Sequence, residues 1–174
     1  MRMPFIDVLR ALKTELAEAL DGRTVGGKPV TVRHFRHRES TIEEWPCIAI
    51  RYVSNDASSY GRQETNDGLP EQVMELAVDL VIDLELPAEA TDEDDDDIDP
   101  TGFECAGNML AWALDALLPG EESNTLGGTT WEIRYDGTAP DEGVQSPDLA
   151  RLEERIVLLY RVRADQPTIL LMGN

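Results

Sequence analysis

The stretch EQVMELAVDLVIDLEL, residues 71–86, has the most regular pattern in the chain. From Met74 onward every second residue is apolar, and four carboxylates lie among the residues between. A period of two predicts a long strand with one buried face, because a helix would scatter these apolar residues around its circumference. We expect the carboxylates to lie on a solvated face. The apolar residues are Met74, Leu76, Val78, Leu80, Ile82, Leu84 and Leu86, and the carboxylates are Glu75, Asp79, Asp83 and Glu85.

A second regular stretch, residues 155–163, is the best partner for this strand. Its apolar residues also alternate, and arginines occupy most positions of the other face. Opposite charges that face each other across two strands contribute roughly 0.2–1 kcal/mol each, so we predict that the two strands are neighbours, with Asp79 and Arg161 as a pair to test. The apolar set is Ile156, Leu158, Tyr160 and Val162, and the arginines are Arg155, Arg161 and Arg163.

The remaining pattern predicts one α+β domain over residues 1–174, in the order α-β-β-β-α-β-β. Short connections favour a mostly antiparallel sheet of about five strands, with two amphipathic helices on one face. Tyr52 is expected to point inward, and Trp131, Ile133 and Tyr135 are expected to alternate along a strand. The predicted segments are helix 4–20, strands 29–36 and 47–53, loop 54–70, strand 71–86, loop 87–99, helix 103–117, strands 131–135 and 153–163, and tail 165–174. We expect the apolar tail after Pro167 to pack on its own subunit or on a neighbour.

The chain of 174 residues has a formal net charge of −20, much of it in one loop. Such a charge repels phosphates, so specific nucleic-acid binding is not expected. The acidic residues of this loop are consecutive and enclose no glycine, unlike the spaced ligands of a calcium loop. We therefore expect a solvated loop and no metal site. Its acidic residues are Asp92, Glu93, Asp94, Asp95, Asp96, Asp97 and Asp99.

No pattern of catalytic residues stands out. His34 and His37 are three apart on a predicted strand and point to opposite faces, so they cannot share a metal. Cys47 could pair with a histidine as a nucleophile, but no orienting residue supports that arrangement. No phosphate loop, dinucleotide fingerprint, zinc motif or nucleophile elbow occurs. We expect a protein without enzymatic activity or cofactor, with Cys47 and Cys105 as buried thiols, and with the three tryptophans at core or strand-end positions.

Three segments carry a resemblance to a known family. After the N-terminal helix comes Trp45-Pro46-Cys47-Ile48-Ala49-Ile50, followed by the long alternating strand. Then come a helix with the sequence AGNMLAWALDALLP (106–119) and a final RIVLLYRVRADQPTILL (155–171). In the order of its predicted helices and strands and in their residue patterns, most of the chain resembles the tail terminator, or tail completion, proteins of long-tailed bacteriophages and prophages.

The resemblance implies a structural role. Such proteins form a ring, usually six-fold, that caps the finished tail tube, stops its polymerisation and offers a surface to the head-side connector. The implied partners are other copies of the chain, the tail tube protein and the connector, with no membrane and no cofactor. The implied location is the host cytoplasm during assembly and then the virion tail.

Charge suggests which residues would meet in such a ring. We expect basic Arg33, Arg36 and Arg38 of one subunit to approach acidic residues of the next, with Glu75 and Asp79 as candidates. The acidic residues at 92–99 are candidates for the lumen, where carboxylates would repel passing DNA, or for the outer rim.

Two other functions fit the sequence. One is a DNA-mimic inhibitor, whose carboxylates would stand in for phosphates, although here many sit in one loop. The other is a different cytoplasmic protein-binding module of similar fold. The mass of the protein in solution separates these functions, because a terminator should close a ring, whereas a decoy could be a monomer or dimer.

Overall fold

The computed structural model describes residues 3–34, 42–64, 70–85, 102–120, 124–138 and 149–172. Helix α1, Pro4–Ala19, begins with a proline in its first turn, where the missing N–H removes no intrahelical hydrogen bond. Val8, Leu12 and Leu16 are fully buried along one side of α1. Their spacing of four residues places them on one stripe, so the predicted first amphipathic helix is confirmed.

Among the described residues, eight strands follow the first helix. A six-stranded sheet has the order β3-β4-β5-β7-β6, with β8 added to β7, and β1 and β2 form a separate hairpin. All neighbours are antiparallel except β3 and β4, which are parallel. The predicted α+β class with a mostly antiparallel sheet is therefore confirmed. The strands are β1 (Thr24–Val25), β2 (Lys28–Pro29), β3 (Thr31–His34), β4 (Cys47–Glu64), β5 (Pro70–Glu85), β6 (Glu132–Thr138), β7 (Leu149–Arg163) and β8 (Leu170–Leu171).

Strand β5 is the axis of the sheet. It pairs with β7 along nearly its whole length, from Glu71 opposite Arg163 to Glu85 opposite Leu149. The predicted neighbourhood of these two strands is confirmed. The predicted charge pair is wrong in register, because Asp79 faces Arg155 and Arg161 faces Val73.

Strand β4 corrects the prediction of a loop at 54–70. The strand continues to Glu64, because its backbone keeps pairing with β5 from Ser54 opposite Ala77 to Glu64 opposite Pro70. The register shifts between Tyr52 and Ser54 and again between Ala57 and Arg62, so the extra polar residues are taken up as bulges. Residues 65–69 of the predicted loop, and all of the predicted loop at 87–99, lie outside the described residues.

Both helices cover one face of the sheet, as predicted. Helix α2, Gly102–Leu117, and α1 contribute to a single core with that face. The prediction that Tyr52 points inward is corrected, because Tyr52 is 49% exposed, although its ring still lies 5.5 Å from that of Phe5. Fully buried members of the core are Val8, Leu12, Leu16, Ile48, Leu76, Val78, Leu80, Ile82, Ala106, Met109, Ala113, Leu117, Ile156 and Leu158.

The C-terminal tail packs on its own subunit. Leu170 and Leu171 form β8 against Val162 and Arg161 of β7. Leu170 also packs against the core, while Ile169 and Met172 stay exposed. The prediction that the tail finds a packing surface is therefore confirmed for the described part of the tail, and the surface belongs to the same chain.

Candidate functional site

The face of the sheet opposite the helices is built from ion pairs, and we call it the charged face. It carries Arg51 of β4, Asp79 and Asp83 of β5, and Arg151, Glu153 and Arg155 of β7. These residues alternate along their strands with residues of the helix-covered core. Opposing registers then bring arginines of the outer strands beside carboxylates of the central strand.

Asp79 lies at the centre of the charged face. Arg51 donates to its Oδ2 from Nε at 3.2 Å and from Nη2 at 2.8 Å. Arg155 donates from Nε to Oδ1 at 2.8 Å, so both carboxylate oxygens are engaged. Asp79 is 1% exposed. The expectation that Asp79 lies on a solvated surface is therefore wrong, because its charge is neutralised within the chain, and its predicted contact with another subunit stays a prediction.

Two further pairs extend this network. Arg51 also donates to Glu153, from Nη2 to Oε2 at 2.5 Å and from Nη1 to Oε1 at 3.2 Å. Arg151 donates two hydrogen bonds to Asp83, from Nε to Oδ1 at 2.6 Å and from Nη2 to Oδ2 at 3.1 Å. A single arginine on β4 thus links β5 and β7 directly, which joins three strands through side chains as well as through the backbone.

The electrostatics of the charged face fit a structural role. Burial lowers the pKa of Arg51, but hydrogen bonds and charges from Asp79 and Glu153 outweigh it and raise the pKa overall. The hydrogen bond to Asp79 likewise raises the pKa of Arg155. A guanidinium held in its charged form does not exchange protons near neutral pH. Among the described residues, no group of three or more His, Cys, Asp or Glu side chains could hold a metal.

A second cluster combines arginines with aromatic rings, and we call it the cation–aromatic cluster: Tyr60, Trp131, Arg134 and Arg161. The Arg161 guanidinium lies 4.9 Å from the centre of the Trp131 ring, which meets Tyr60 edge-on at 5.5 Å. Arg134 lies 5.3 Å from the Tyr60 ring and donates a hydrogen bond to its hydroxyl. Trp131 directly precedes β6, as expected for a strand-end position, and belongs to a cluster of residue types that are common at binding surfaces.

The bulged part of β4 builds this cluster. Between Ala57 and Arg62, where β4 leaves its register with β5, the Ser58 hydroxyl donates to Glu75 at 2.6 Å. The next residues carry the Tyr60 ring across the charged face to Arg134 of β6, although β5 and β7 lie between. A polar, glycine-containing segment is thus held over the sheet.

Arg134 is fixed by a carboxylate on its own strand. Glu132 accepts from its Nε at 2.9 Å and from its Nη2 at 3.1 Å. The hydrogen bond to Glu132 raises the pKa of Arg134, and the bond from Arg134 lowers the pKa of the Glu132 carboxyl. Both groups therefore stay charged at neutral pH, and the arginine is oriented toward Tyr60.

Six of the eight exposed large apolar side chains among the described residues lie in two separate parts of the chain. The first, which we call the α1–β4 patch, consists of Met3, Tyr52 and Val53 near the start of α1. The second, the β6–β8 patch, consists of Trp131, Ile169 and Met172. All six side chains are at least 38% exposed. The sheet order places β4 beside the β3 edge and β6 with β8 at the other edge, so the patches lie toward opposite edges.

The interface residues predicted from charge are not brought together within the subunit. Arg33 lies on edge strand β3, where Glu44 is 3.5 Å away, and its Nε and Nη2 are buried without a hydrogen-bond partner in the described structure. Glu75 lies on central strand β5 and accepts from Ser58. Arg36 and Arg38 lie outside the described residues, as do the acidic residues 92–99. For Arg33 and Glu75, a contact with another subunit stays a prediction.

Cys47 and His34 do not form a catalytic pair. In the parallel pairing of β3 with β4, Cys47 faces Thr31, and His34 faces Ile50 three residues further along. Three residues of strand correspond to about 10 Å, which is too far for a hydrogen bond. Cys47 is buried and Cys105 is partly buried, both without a disulfide.

No family model matches this chain, and neither does any curated protein. In the part of the chain that the structure describes, no helix has the length and apolar character needed to cross a membrane.

Proposed function

We propose that this protein is a tail terminator, which forms a ring on the finished tail tube of a phage or prophage and presents a surface to the head-side connector. The observation that carries the proposal is the presence of two unlike patches near opposite edges of one open sheet. A closed ring is built from head-to-tail contacts, so each subunit needs two different surfaces that fit each other.

The edges of the sheet support such a contact. Among the described residues, the outer edges of β3 and β6 carry no further strand. Open edges and exposed apolar side chains favour association with another chain. Two different edges with two different patches favour head-to-tail association over a symmetric dimer, which would use one patch twice.

Charge near the patches is complementary. Asp56 is exposed on β4 close to the α1–β4 patch, whereas Arg134 and Arg161 stand beside the β6–β8 patch. Opposite charges at a contact steer the approach of two subunits and fix their relative position. The distribution of charge in this protein is thus uneven: a chain with a net charge of −20 places its arginine–aromatic cluster at one edge.

The charged face weighs against a DNA mimic. A decoy must display carboxylates to its target, but Asp79, Asp83 and Glu153 are buried and paired with arginines of the same chain. The acidic residues 92–99 lie outside the described residues, and their place at the opening of the ring stays a prediction.

Reconstitution with the tail tube protein of the same phage or prophage tests the proposal. Tubes polymerised with the protein should be capped and uniform in length under electron microscopy, whereas tubes without it should keep growing. Val53→Lys should abolish capping, because it places a charge in the α1–β4 patch. Thr14→Lys, on the exposed side of α1, is the matched control and should cap normally. Uncapped growth in the presence of the wild-type protein would refute the proposal.

Light scattering of the protein alone gives a second test. We expect larger assemblies as the protein concentration rises, and weaker assembly at high salt, because the screening length falls to about 3 Å at 1 M. Val53→Lys should remain a monomer under conditions where Thr14→Lys assembles. Equal masses for the two variants at every concentration would contradict the role of the α1–β4 patch.

A further inference from the structure

A small cavity lies beside the cation–aromatic cluster. It has a volume of about 190 Å³ and is lined by Thr125, Gly128, Thr129, Thr130, Trp131, Arg161 and Leu171. Since a water molecule takes up about 30 Å³ in the liquid, the space suits a small functional group with its nearest carbon atoms. The exposed side chains of Met172 and Ile169 come one residue after and two residues before Leu171 in the chain.

Arg161 supplies the charge of this cavity. Its guanidinium stacks on Trp131 at 4.9 Å, and its Nη1 lies 3.8 Å from Glu71 on the neighbouring strand. The Arg161 side chain is 36% exposed, whereas its Nε is buried, so the outer guanidinium nitrogens are the donors that a ligand can reach. The contact with Glu71 is beyond hydrogen-bond length, so these nitrogens can still donate to an acceptor in the cavity.

The threonine hydroxyls of the cavity differ in whether they are free to donate a hydrogen bond to a ligand. Those of Thr129 and Thr130 donate to the carbonyls of Leu126 and Asn124, at 2.9 Å and 3.4 Å. The Thr125 hydroxyl accepts from the N–H of Gly128 at 3.3 Å, and no acceptor among the described residues takes its proton. The cavity therefore offers a guanidinium and a hydroxyl as donors, next to an aromatic ring and a leucine.

We propose that this cavity binds a carboxylate side chain on an acidic segment of a protein partner. A planar guanidinium that is stacked on an indole is well oriented for a carboxylate, and the hydroxyl of Thr125 adds a second donor. The apolar side chains around the opening would contact the peptide on either side of the acidic residue, which favours a protein over a free anion. The proposal does not depend on a role in phage tails.

NMR titration of the full chain tests this proposal. The probes are acetyl-Gly-Glu-Gly-amide, its glutamine counterpart and free glutarate, at constant ionic strength. The glutamate peptide should shift the Trp131 indole signal in a saturable way, while the glutamine peptide should not. Glutarate should bind about tenfold more weakly than the peptide. Equal binding of the two peptides, or no shift with the glutamate peptide, would overturn the carboxylate site. Equal affinity for glutarate would overturn the protein partner.

The chain contains a matched control for Arg161. Arg23 stacks over Trp112 at 5.0 Å but does not line this cavity. Arg161→Lys keeps the charge but loses the planar guanidinium and its paired outer donors, so it should weaken binding of the glutamate peptide at least tenfold. Arg23→Lys should leave the affinity within about twofold. An unchanged Trp112 signal shows that Arg161→Lys is folded. Thr125→Val offers a second test, because its affinity for the glutamate peptide should fall threefold or more. Equal losses in the two lysine variants would contradict the proposal.

Discussion

The two faces of the sheet are buried by different means. The helix-covered face excludes water with aliphatic side chains such as Leu80 and Ile82, both fully buried. On the charged face, Asp83 is equally buried, but its partner Arg151 remains 11% exposed and reaches toward water. On the helix-covered face, a cavity is destabilising, because no other contacts replace the packing that is lost. The charged face tolerates no unpaired charge, because a buried ion without its partner is strongly destabilising.

The largest effect should come from breaking one buried ion pair. Asp83→Leu should lower the free energy of unfolding by about 4 kcal/mol, because Arg151 loses its partner at 2.6 Å. Replacing both residues, with Asp83→Leu and Arg151→Met, should recover most of this loss, since a matched apolar pair avoids the unpaired charge. Urea unfolding measures both changes. If the double variant is as unstable as the single one, the pair does not act as a unit.

The helix-covered face should respond without such rescue. Leu80→Ala should cost about 3 kcal/mol in urea unfolding, because it opens a cavity in a fully buried site. Val53→Ala, at a half-exposed position, is the control and should cost less than about 1 kcal/mol. A cost below about 1 kcal/mol for Leu80→Ala would show that this face is not the packed one.

Tyr160 marks the place where a polar group enters the apolar face. Burial raises the pKa of Tyr160 to about 12, from an ordinary value of 10.0, while its hydroxyl donates to Asn55 at 2.8 Å. As the pH rises, the hydroxyl of Tyr160 therefore loses its proton in the unfolded chain before it does so in the folded protein. The contribution of Tyr160 to the free energy of unfolding is complete below about pH 10 and is lost as the pH rises toward about 12. Between about pH 9 and about pH 11, the wild type should lose about 1 kcal/mol more than Tyr160→Phe. Equal losses, measured by urea unfolding, would contradict the shift.

The smallest effect concerns an exposed pair. Arg134 lowers the pKa of the Glu132 carboxyl, so the pair stabilises the protein above the ordinary glutamate pKa of 4.5, and this contribution fades as the pH falls through the lower folded value. Surface pairs contribute at most about 1 kcal/mol. NMR titration of the Glu132 carboxyl should show a pKa that rises in Arg134→Met. No change between the two proteins would show that the pair is not formed in solution.

Alternating apolar residues were enough to predict β5, β7 and their pairing, because a period of two fixes which side chains share a face. The same pattern could not show that the second face is buried as well. An aspartate between apolar residues predicts a solvated face. Asp79 can be buried because Arg51 of β4 and Arg155 of β7 both donate hydrogen bonds to its carboxylate and offset the free-energy cost of burying its charge. Neither the register nor this double pairing follows from the sequence of one strand.

The cation–aromatic cluster was missed for a related reason. Tyr60, Trp131 and Arg161 are distant in sequence, and the polar residues around Tyr60 are typical of a loop. Pairing with β5 keeps this segment in a strand, and a shift of register carries the ring across the sheet. Tyrosine, tryptophan and arginine side chains indicate a binding surface only when they are close in space, and the sequence alone does not show that proximity.

The carboxylates of β5 also have a consequence for the nascent chain. Strand β4 comes directly before β5, but β7 follows only after more than sixty further residues, as shown by Glu85 opposite Leu149. Until β7 arrives, one edge of an apolar hairpin is unprotected. Asp79 and Asp83 then act as gatekeepers, since two such edges from different chains would bring like charges together and repel each other. The arginines of β7 make it the strand that this edge accepts. We therefore expect Asp79→Asn with Asp83→Asn to scatter more light during refolding than the wild type, and equal scattering would contradict this gatekeeper role.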